Sequence, residues 1–384
     1  MKILHVIPFL SPKFGGSVNS VYELSMHLAQ RGHTVSILTT SYHFDRKYAN
    51  DIPGVNVIPV PYFFNWGMFI HSPEINNFIN DHLRFFDIVI LHNYRSYQNA
   101  CLTKYAKIHS VPYCLDAHGS LLPIWGKLIR KRMFDFIWGN KILSGAACYI
   151  AATPDEQQQY IKIGIDPAKI SIIPRGIDIS KYNTFITDNS FRKKYKISAD
   201  TFLILYLGRI HSIKGLDILI NAFSRLTKVF ENTLLVIAGS DDGYLLTLQN
   251  VILQNNTEKK VIFTGNLFMG EKIMALQTAD LVVVPSYYES FGNVVTEAMA
   301  SKTPVLISNK CGILQMLSQE IVHVCECDKD KLYEAIENLY LDENERKKYV
   351  NSAYDYTKTH FSWDNLIKQY EVLFDNIIND RQTG

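Results

Sequence analysis

Two glutamates, Glu289 and Glu297, bracket the segment ESFGNVVTE at residues 289–297, directly after the apolar run LVVVP of residues 281–285. LVVVP suits a strand buried on both faces, and residues 286–291 carry no periodicity, so they form the loop at its carboxyl end. Gly292 and Asn293 suit a helix entry and residues 294–300 continue as helix, which leaves Glu289 in the loop and Glu297 in or just past the first turn. In an open parallel sheet, ligands bind outside the carboxyl ends of strands, and the amides of a helix start favour phosphate. The amides around Phe291, Gly292, Asn293 and Val294 therefore suit a diphosphate. The carboxylates suit hydroxyl donors such as those of a sugar. A nucleotide sugar offers both kinds of group. An isolated pair of this spacing has a plainer and commoner reading, a solvated loop acid and an acid complementing a helix dipole.

Residues 205–223, LYLGRIHSIKGLDILINAF, read as a strand, a loop holding Gly208, Arg209 and Lys214, and an amphipathic helix with Leu216, Leu219, Ile220 and Phe223 on one face. The two cations read as exposed loop residues with few packing partners. Each charge-assisted bond from such a group to phosphate is worth about 1.5–3 kcal/mol. At the N-terminus, MKILHVIP reads as a strand and residues 16–32 as a helix, with Val18, Val21, Leu24, Leu28 and Ala29 inward. Gly15 and Gly16 in the loop between them admit close backbone approach; a plain glycine turn is the alternative.

These elements together resemble the retaining glycosyltransferases of family 4: the Gly15-Gly16 loop, GR-x4-KG at residues 208–215, FTG at 263–265 and ESFGNVVTEAMA at 289–300. The resemblance spans essentially the whole chain. It implies an α/β protein of the GT-B fold, two Rossmann-like parallel-sheet domains facing a deep cleft. It further implies that Arg209 and Lys214 bind the donor phosphates, Glu289 the donor sugar and Glu297 the ribose. Gly15, Gly16 and Gly265 fall in its donor-binding loops, and His118 in LDAHG falls near the sugar. His118, Glu289, Arg209 and Lys214 are then the catalytic candidates, with no covalent nucleophile and no metal. The chain departs from the family pattern after Ile173-Pro174, where Arg175 stands in place of the usual Asn. Arg175 reads as a cation facing the cleft or, preferably, as a turn cap.

The positioning elements follow from a strand–helix alternation. Strand-like runs near Ile3, Val35, Val57, Ile88, Pro112, Cys148 and Ile170 form one series, and runs near Phe202, Leu234, Val261, Leu281, Pro304 and Ile321 a second. The turn-rich residues 172–185 suit a linker. The expected organisation is residues 1–178 as an N-terminal acceptor-side domain, completed by a C-terminal helix at 363–384, and residues 179–362 as the nucleotide-sugar-binding domain. That helix aligns Leu366, Tyr370, Leu373 and Ile377. The contacts that select the sugar, the base and the acceptor fall in variable loops such as 65–70 and 95–98.

Residues 122–143 read as a helix. Leu122, Trp125, Ile129, Met133 and Phe136 form an expected core stripe, with Lys127, Lys131, Phe134, Trp138 and Lys141 opposite. From 127 to 141 there are five cations (Lys127, Arg130, Lys131, Arg132, Lys141) and one acid, Asp135, a formal +4. Such a face suits peripheral association with an anionic membrane and a glycan or lipid-linked saccharide acceptor. The reading given more weight has Phe134 and Trp138 packed under a neighbouring loop, with Gly139 ending the helix early.

Composition narrows the classes. With 384 residues and 47% hydrophobic content the chain can bury two cores, and a net charge of +2 argues against nucleic-acid binding. Six cysteines without paired zinc spacing fit free thiols in a reducing, cytoplasmic setting. MKILHVIPFL lacks the features of a signal peptide, and no run reaches membrane-spanning length. Asp328-Lys329-Asp330 precedes a helix and reads as entry charge rather than a metal site. The histidines His5, His92 and His211 read as structural. No G-x-G-x-x-G follows a strand, which disfavours a dinucleotide dehydrogenase. The reading is transfer of a sugar from a nucleotide diphosphate, with no cofactor beyond that donor, in cell-surface polysaccharide or lipopolysaccharide synthesis. The alternatives are an epimerase, a phosphorylase or a non-catalytic partner subunit.

Overall fold

A computed structural model of the chain describes residues 1–66, 69–123, 128–183, 190–317 and 321–383. It divides into two compact units, Met1–Gly176 with Trp363–Gly384, and Ile177–Ser362. The chain changes unit after Gly176 because the Ile177 amide already donates to the Phe361 carbonyl of the second unit, at 2.8 Å.

The strands of the first unit are β1 (Lys2–Val6), β2 (Thr34–Thr40), β3 (Val55–Val60), β4 (Phe64–Trp66), β5 (Phe69–His71), β6 (Ile88–His92), β7 (Tyr113–Asp116), β8 (Cys148–Ala151) and β9 (Ile170–Ile172). Seven of them form one parallel sheet in the order β3-β2-β1-β6-β7-β8-β9. Helices cover both faces, which is why β1 from Ile3 onward and all of β6 are buried on both faces rather than alternately. The helix Trp363–Thr383 packs on this sheet: Leu366, Tyr370 and Phe374 are buried among Ile3, Leu24, Ile88, Ile90 and Ile150. Each such side chain contributes about 1.5–3 kcal/mol on burial. Glu371 on the same helix accepts from Arg31 (2.9 Å) and contacts His33 (3.0 Å).

Where residues 65–70 were expected to form a loop, Phe64–Trp66 and Phe69–His71 pair as antiparallel strands, with Phe64 opposite His71 and Trp66 opposite Phe69. Strands of three residues in a nearly unbroken aromatic run leave too little alternation to be read from the sequence.

The second unit carries β10 (Phe202–Leu207), β11 (Thr233–Ala238), β12 (Val261–Gly265), β13 (Leu281–Val284), β14 (Val305–Ser308) and β15 (His323–Cys325), all parallel, in the order β12-β11-β10-β13-β14-β15. Leu216, Leu219, Ile220 and Phe223 of the helix Leu216–Val229 are fully buried against Ile204, Leu235, Ile237 and Leu281. Both sheets reverse their strand order beside their first strand, between β1 and β6 and between β10 and β13. Doubly wound sheets bind ligands at such switch points.

Candidate functional site

In the second unit, the loops after β10 and β13 leave the sheet side by side at its switch point. They are tied by the Tyr287 amide donating to the Ile213 carbonyl (2.9 Å) and the Tyr287 hydroxyl donating to Asp217 (2.8 Å). Gly215, at φ +65°, closes the first loop, and a Cβ there would stand 2.1 Å from the Pro285 carbonyl oxygen. No other residue lets the loops approach this closely.

Across that seam the Lys214 ammonium donates to the Glu289 carboxylate, and each side chain is less than a fifth exposed. The expectation of Lys214 as an exposed cation with few partners is therefore corrected: loop docking half-buries it beside an acid. Arg209 does not join them. Its guanidinium pairs with Asp242, beyond the end of β11, with both groups about half exposed. Its own carbonyl accepts from the Tyr206 hydroxyl at 2.8 Å, which fixes the turn.

Gly292 caps the helix Asn293–Ala300 at φ +97°. The Glu289 backbone is held by Lys310 and Gly312, the Glu289 carbonyl accepting from the Gly312 amide at 2.8 Å. The ring of Phe291 is buried edge-on against Phe361, 5.8 Å between centroids, so this side chain anchors the loop. Asn293 and Val294 are half-buried at the helix start. Glu297 is buried and accepts from Lys272 at 2.7 Å, a partner that sequence reasoning missed because it comes from the separate helix Met269–Thr278. Gly265 ends β12, and its carbonyl accepts from the Gly239 amide at 2.9 Å.

In the first unit, Gly15 caps the helix Gly16–Gln30 at φ +75°, with no atom within 4 Å of where its Cβ would stand. His118 follows β7 at φ +49°. It ends a row of imidazoles: His118 Nε2 meets His92 Nδ1 at 2.9 Å, and His92 Nε2 meets His5 Nδ1 at 2.9 Å. Burial holds all three well below the ordinary imidazole value, His118 pushed down to about 3. A neutral imidazole has one donor and one acceptor, so the row runs in one of two directions, and that direction sets whether His118 Nδ1 is donor or acceptor. The row gives His5 and His92 a part in the site that their sequence context does not signal.

Arg175 is neither a turn cap nor a cation facing a cleft. It is buried and forked onto Asp116, its Nη2 donating to Asp116 Oδ1 at 2.7 Å, with Glu156 3.9 Å away. Burial alone would raise the Asp116 carboxyl, but the Arg175 guanidinium outweighs it and holds the group ionised. Glu156 is raised by burial, and Arg175 and two amides oppose that. Those amides are Ala152 (2.8 Å) and Gly119 (2.7 Å), so Glu156 grips the backbone next to His118. The Thr-x-x-Glu pattern at Thr153 was the available signal. His92, Asp116 and His118 offer ligand atoms within 4.8 Å of one another. Those atoms are already engaged by hydrogen bonds within the network and by Arg175.

Over the described part of residues 122–143 the expected core stripe is exposed, whereas the packing expected for Phe134 and Trp138 is found. Ile129, Met133 and Phe136 are 77%, 50% and 90% exposed, whereas Phe134 is buried and Trp138 stacks on Phe69 at 5.6 Å. Trp125 and Lys127 lie outside the described residues. The helix Leu128–Phe134 passes into a π turn at Asp135–Gly139, and since Ile129, Met133 and Phe134 all precede that turn, the covered side is decided there by what packs on the helix. The strand pair around Phe69 then supplies the aromatic cover. Gly139 does not end the helical stretch, which continues through Asn140–Ser144.

Two parallel doubly wound sheets define the GT-B class, as the sequence led one to expect. An Anabaena HepE crystal structure in complex with UDP and glucose aligns with a TM-score of 0.83 at 18% identity, covering 98% of this chain and 100% of that one. Residues 14–181 match the model of Glycosyltransferase Family 4 and residues 187–356 that of Glycosyl transferases group 1. The chain belongs to this glycosyltransferase family. An uncharacterized glycosyltransferase of Methanocaldococcus jannaschii is 29% identical over 96% of both chains. A lipopolysaccharide 1,2-N-acetylglucosaminetransferase of Salmonella typhimurium is 31% identical over 54% of this chain and 57% of its own.

Proposed function

We propose that the protein transfers a sugar from a nucleotide diphosphate to a glycan or lipid-linked saccharide, with retention and without a metal, in cell-surface polysaccharide or lipopolysaccharide synthesis. The second unit holds the donor and the first the acceptor. The observation that carries this reading is the meeting of Lys214 and Glu289 at the switch point of the second sheet. A cation for phosphate and an acid for hydroxyls stand there beside the Gly292 helix start. Lys214, Arg209 and the amides of Gly292, Asn293 and Val294 stabilise charge on the departing diphosphate, while Glu289 and His118 orient the sugar.

In the transfer, the bond from the anomeric carbon to the phosphate oxygen breaks and its electron pair leaves with the diphosphate. The acceptor oxygen bonds to the same face of that carbon, and its proton passes to the departing phosphate. Free thiols at all six cysteines fit a reducing, cytoplasmic setting. The Salmonella relative supports the lipopolysaccharide setting.

The test is a thermal-shift and calorimetry panel of nucleotide sugars on the wild type and Lys214→Ala. One donor should raise the melting temperature of the wild type, and the variant should bind it at least about tenfold more weakly. If no nucleotide sugar binds, or if the variant binds equally well, the assignment fails.

A further inference from the structure

The imidazole row of the first unit crosses three neighbouring strands. β1 and β6 run parallel with His5 opposite Ile90, two residues before His92, and β6 and β7 run parallel with His92 opposite Asp116, two residues before His118. Side chains two residues apart on a strand share a face, so each step moves one strand across and two residues along on the same side of the sheet. His118 lies just past the end of β7. The steps produce the two 2.9 Å contacts, His5 Nδ1 with His92 Nε2 and His92 Nδ1 with His118 Nε2. His5 and His92 are 0% and 1% exposed. The row takes up Nε2 of His118, so Nδ1 is the ring nitrogen left to meet a ligand.

The two ends of the row decide its direction. His5 Nε2 is enclosed and has no hydrogen-bond partner among the described residues. If the protons pointed from His118 toward His5, the last of them would sit on that nitrogen as a buried N–H with no acceptor. With the opposite direction the same nitrogen keeps only a lone pair. A buried N–H without an acceptor is a rarer defect in folded proteins than an under-used acceptor, so the protons point from His5 toward His118. At the other end, Asp116 Oδ2 stands 3.6 Å from His118 Nε2, beyond hydrogen-bond range. That oxygen already accepts from Arg175, whose charge offsets the pull of the carboxylate on a proton at Nε2.

We propose that His92, backed by His5, is a positioning residue that fixes His118 with its proton on Nδ1. His118 then donates to an oxygen of the transferred sugar and cannot accept from it. The contact with the sugar rests on the transferase reading above, whereas the tautomer does not. Without His92, Nε2 of His118 loses its donor and is left beside Asp116 Oδ2, so the proton can settle on Nε2 instead.

The experiment is heteronuclear NMR of the full chain with isotope-labelled histidine, without donor, at about pH 8, where imidazoles are neutral. Single variants His5→Gln, His92→Leu and His118→Gln supply the assignments. A ring nitrogen carrying a proton and one carrying a lone pair resonate in separate regions, so the spectrum reads the tautomer directly. Wild-type His118 should show its proton on Nδ1 and a lone pair on Nε2, in excess of the other tautomer by about fivefold or more. In His92→Leu that ratio should shift toward Nε2 by about fivefold or more. A wild-type spectrum with the His118 proton on Nε2 overturns the proposal, whether or not any variant folds. A folded His92→Leu chain that keeps the wild-type ratio overturns it as well, a result that loss of packing alone would give. Adding UDP-glucose, UDP-N-acetylglucosamine or GDP-mannose, whichever calorimetry shows to bind, should then move the His118 Nδ1 resonance, and the matching nucleoside diphosphate should leave it in place. A nucleotide sugar that binds without moving that resonance overturns the contact with the sugar. If none of them binds, the transferase reading fails, while the donor-free spectrum still decides the tautomer.

Discussion

Arg175 donates both terminal nitrogens of its guanidinium to the two carboxylate oxygens of Asp116, and both groups are buried. The pair joins the end of β7 to the segment after β9, two residues before His118. Removing the cation would strand two buried carboxylates, Asp116 and Glu156. Arg175→Met should therefore cost about 3–5 kcal/mol in urea denaturation. Arg175→Met combined with Asp116→Leu should recover part of that loss. Additive losses from the two changes would show that the pair does not act as a unit.

The imidazole row makes stability depend on pH. His5, His92 and His118 stay neutral when folded but titrate near 6.5 when unfolded, so below that pH the unfolded chain binds more protons. Stability should be level above about pH 7 and fall as pH drops from 6.5 toward the depressed folded values, by about 1.4 kcal/mol per pH unit for each imidazole. Denaturation midpoints between pH 8 and 5 report the slope. His5→Gln should make it shallower, and an unchanged slope would exclude His5 as a contributor.

The two glutamates should separate kinetically. Glu289→Gln should lower turnover by about 10²–10³ while nucleoside diphosphate affinity changes little, because the carboxylate addresses the sugar. Glu297→Gln should weaken binding of the nucleotide even without its sugar. Equal losses of free-nucleotide affinity in the two variants contradict the division of roles.

Lys272 holds Glu297 at 2.7 Å, so Lys272→Met should reproduce part of the Glu297→Gln effect on nucleotide affinity. Calorimetry on both single variants and the double variant tests this. If Lys272 acts only through Glu297, the double variant should match Glu297→Gln alone.

Gly292→Ala should lower stability by about 1–2 kcal/mol, because φ +97° is left-handed and the added Cβ would stand 3.3 Å from Glu289 Cγ. The crowding falls on the catalytic candidate, so turnover should drop by more than the loss of folded protein explains. A loss confined to stability would show that Gly292 serves only the turn.

Periodicity alone determined most of the strand–helix alternation, both parallel sheets and the buried face of the helix Leu216–Val229, because burial on one face or two imprints an apolar pattern along the chain. Glu289, Glu297, Arg209 and Lys214 are legible as candidates because they sit in or beside loops that follow recognisable strands. Their partners are not. Lys214 meets Glu289 and Lys272 meets Glu297 only after separate loops and helices dock. Arg175 misleads in the sequence because a buried charge is intelligible only with its counter-charge, and Asp116 lies 59 positions away in the chain. The core stripe expected near residue 130 is exposed, because the strand pair around Phe69 chooses which aromatics to cover. Local pattern is written by short-range geometry, whereas electrostatic pairing and phase are decided by distant segments brought together in the tertiary fold.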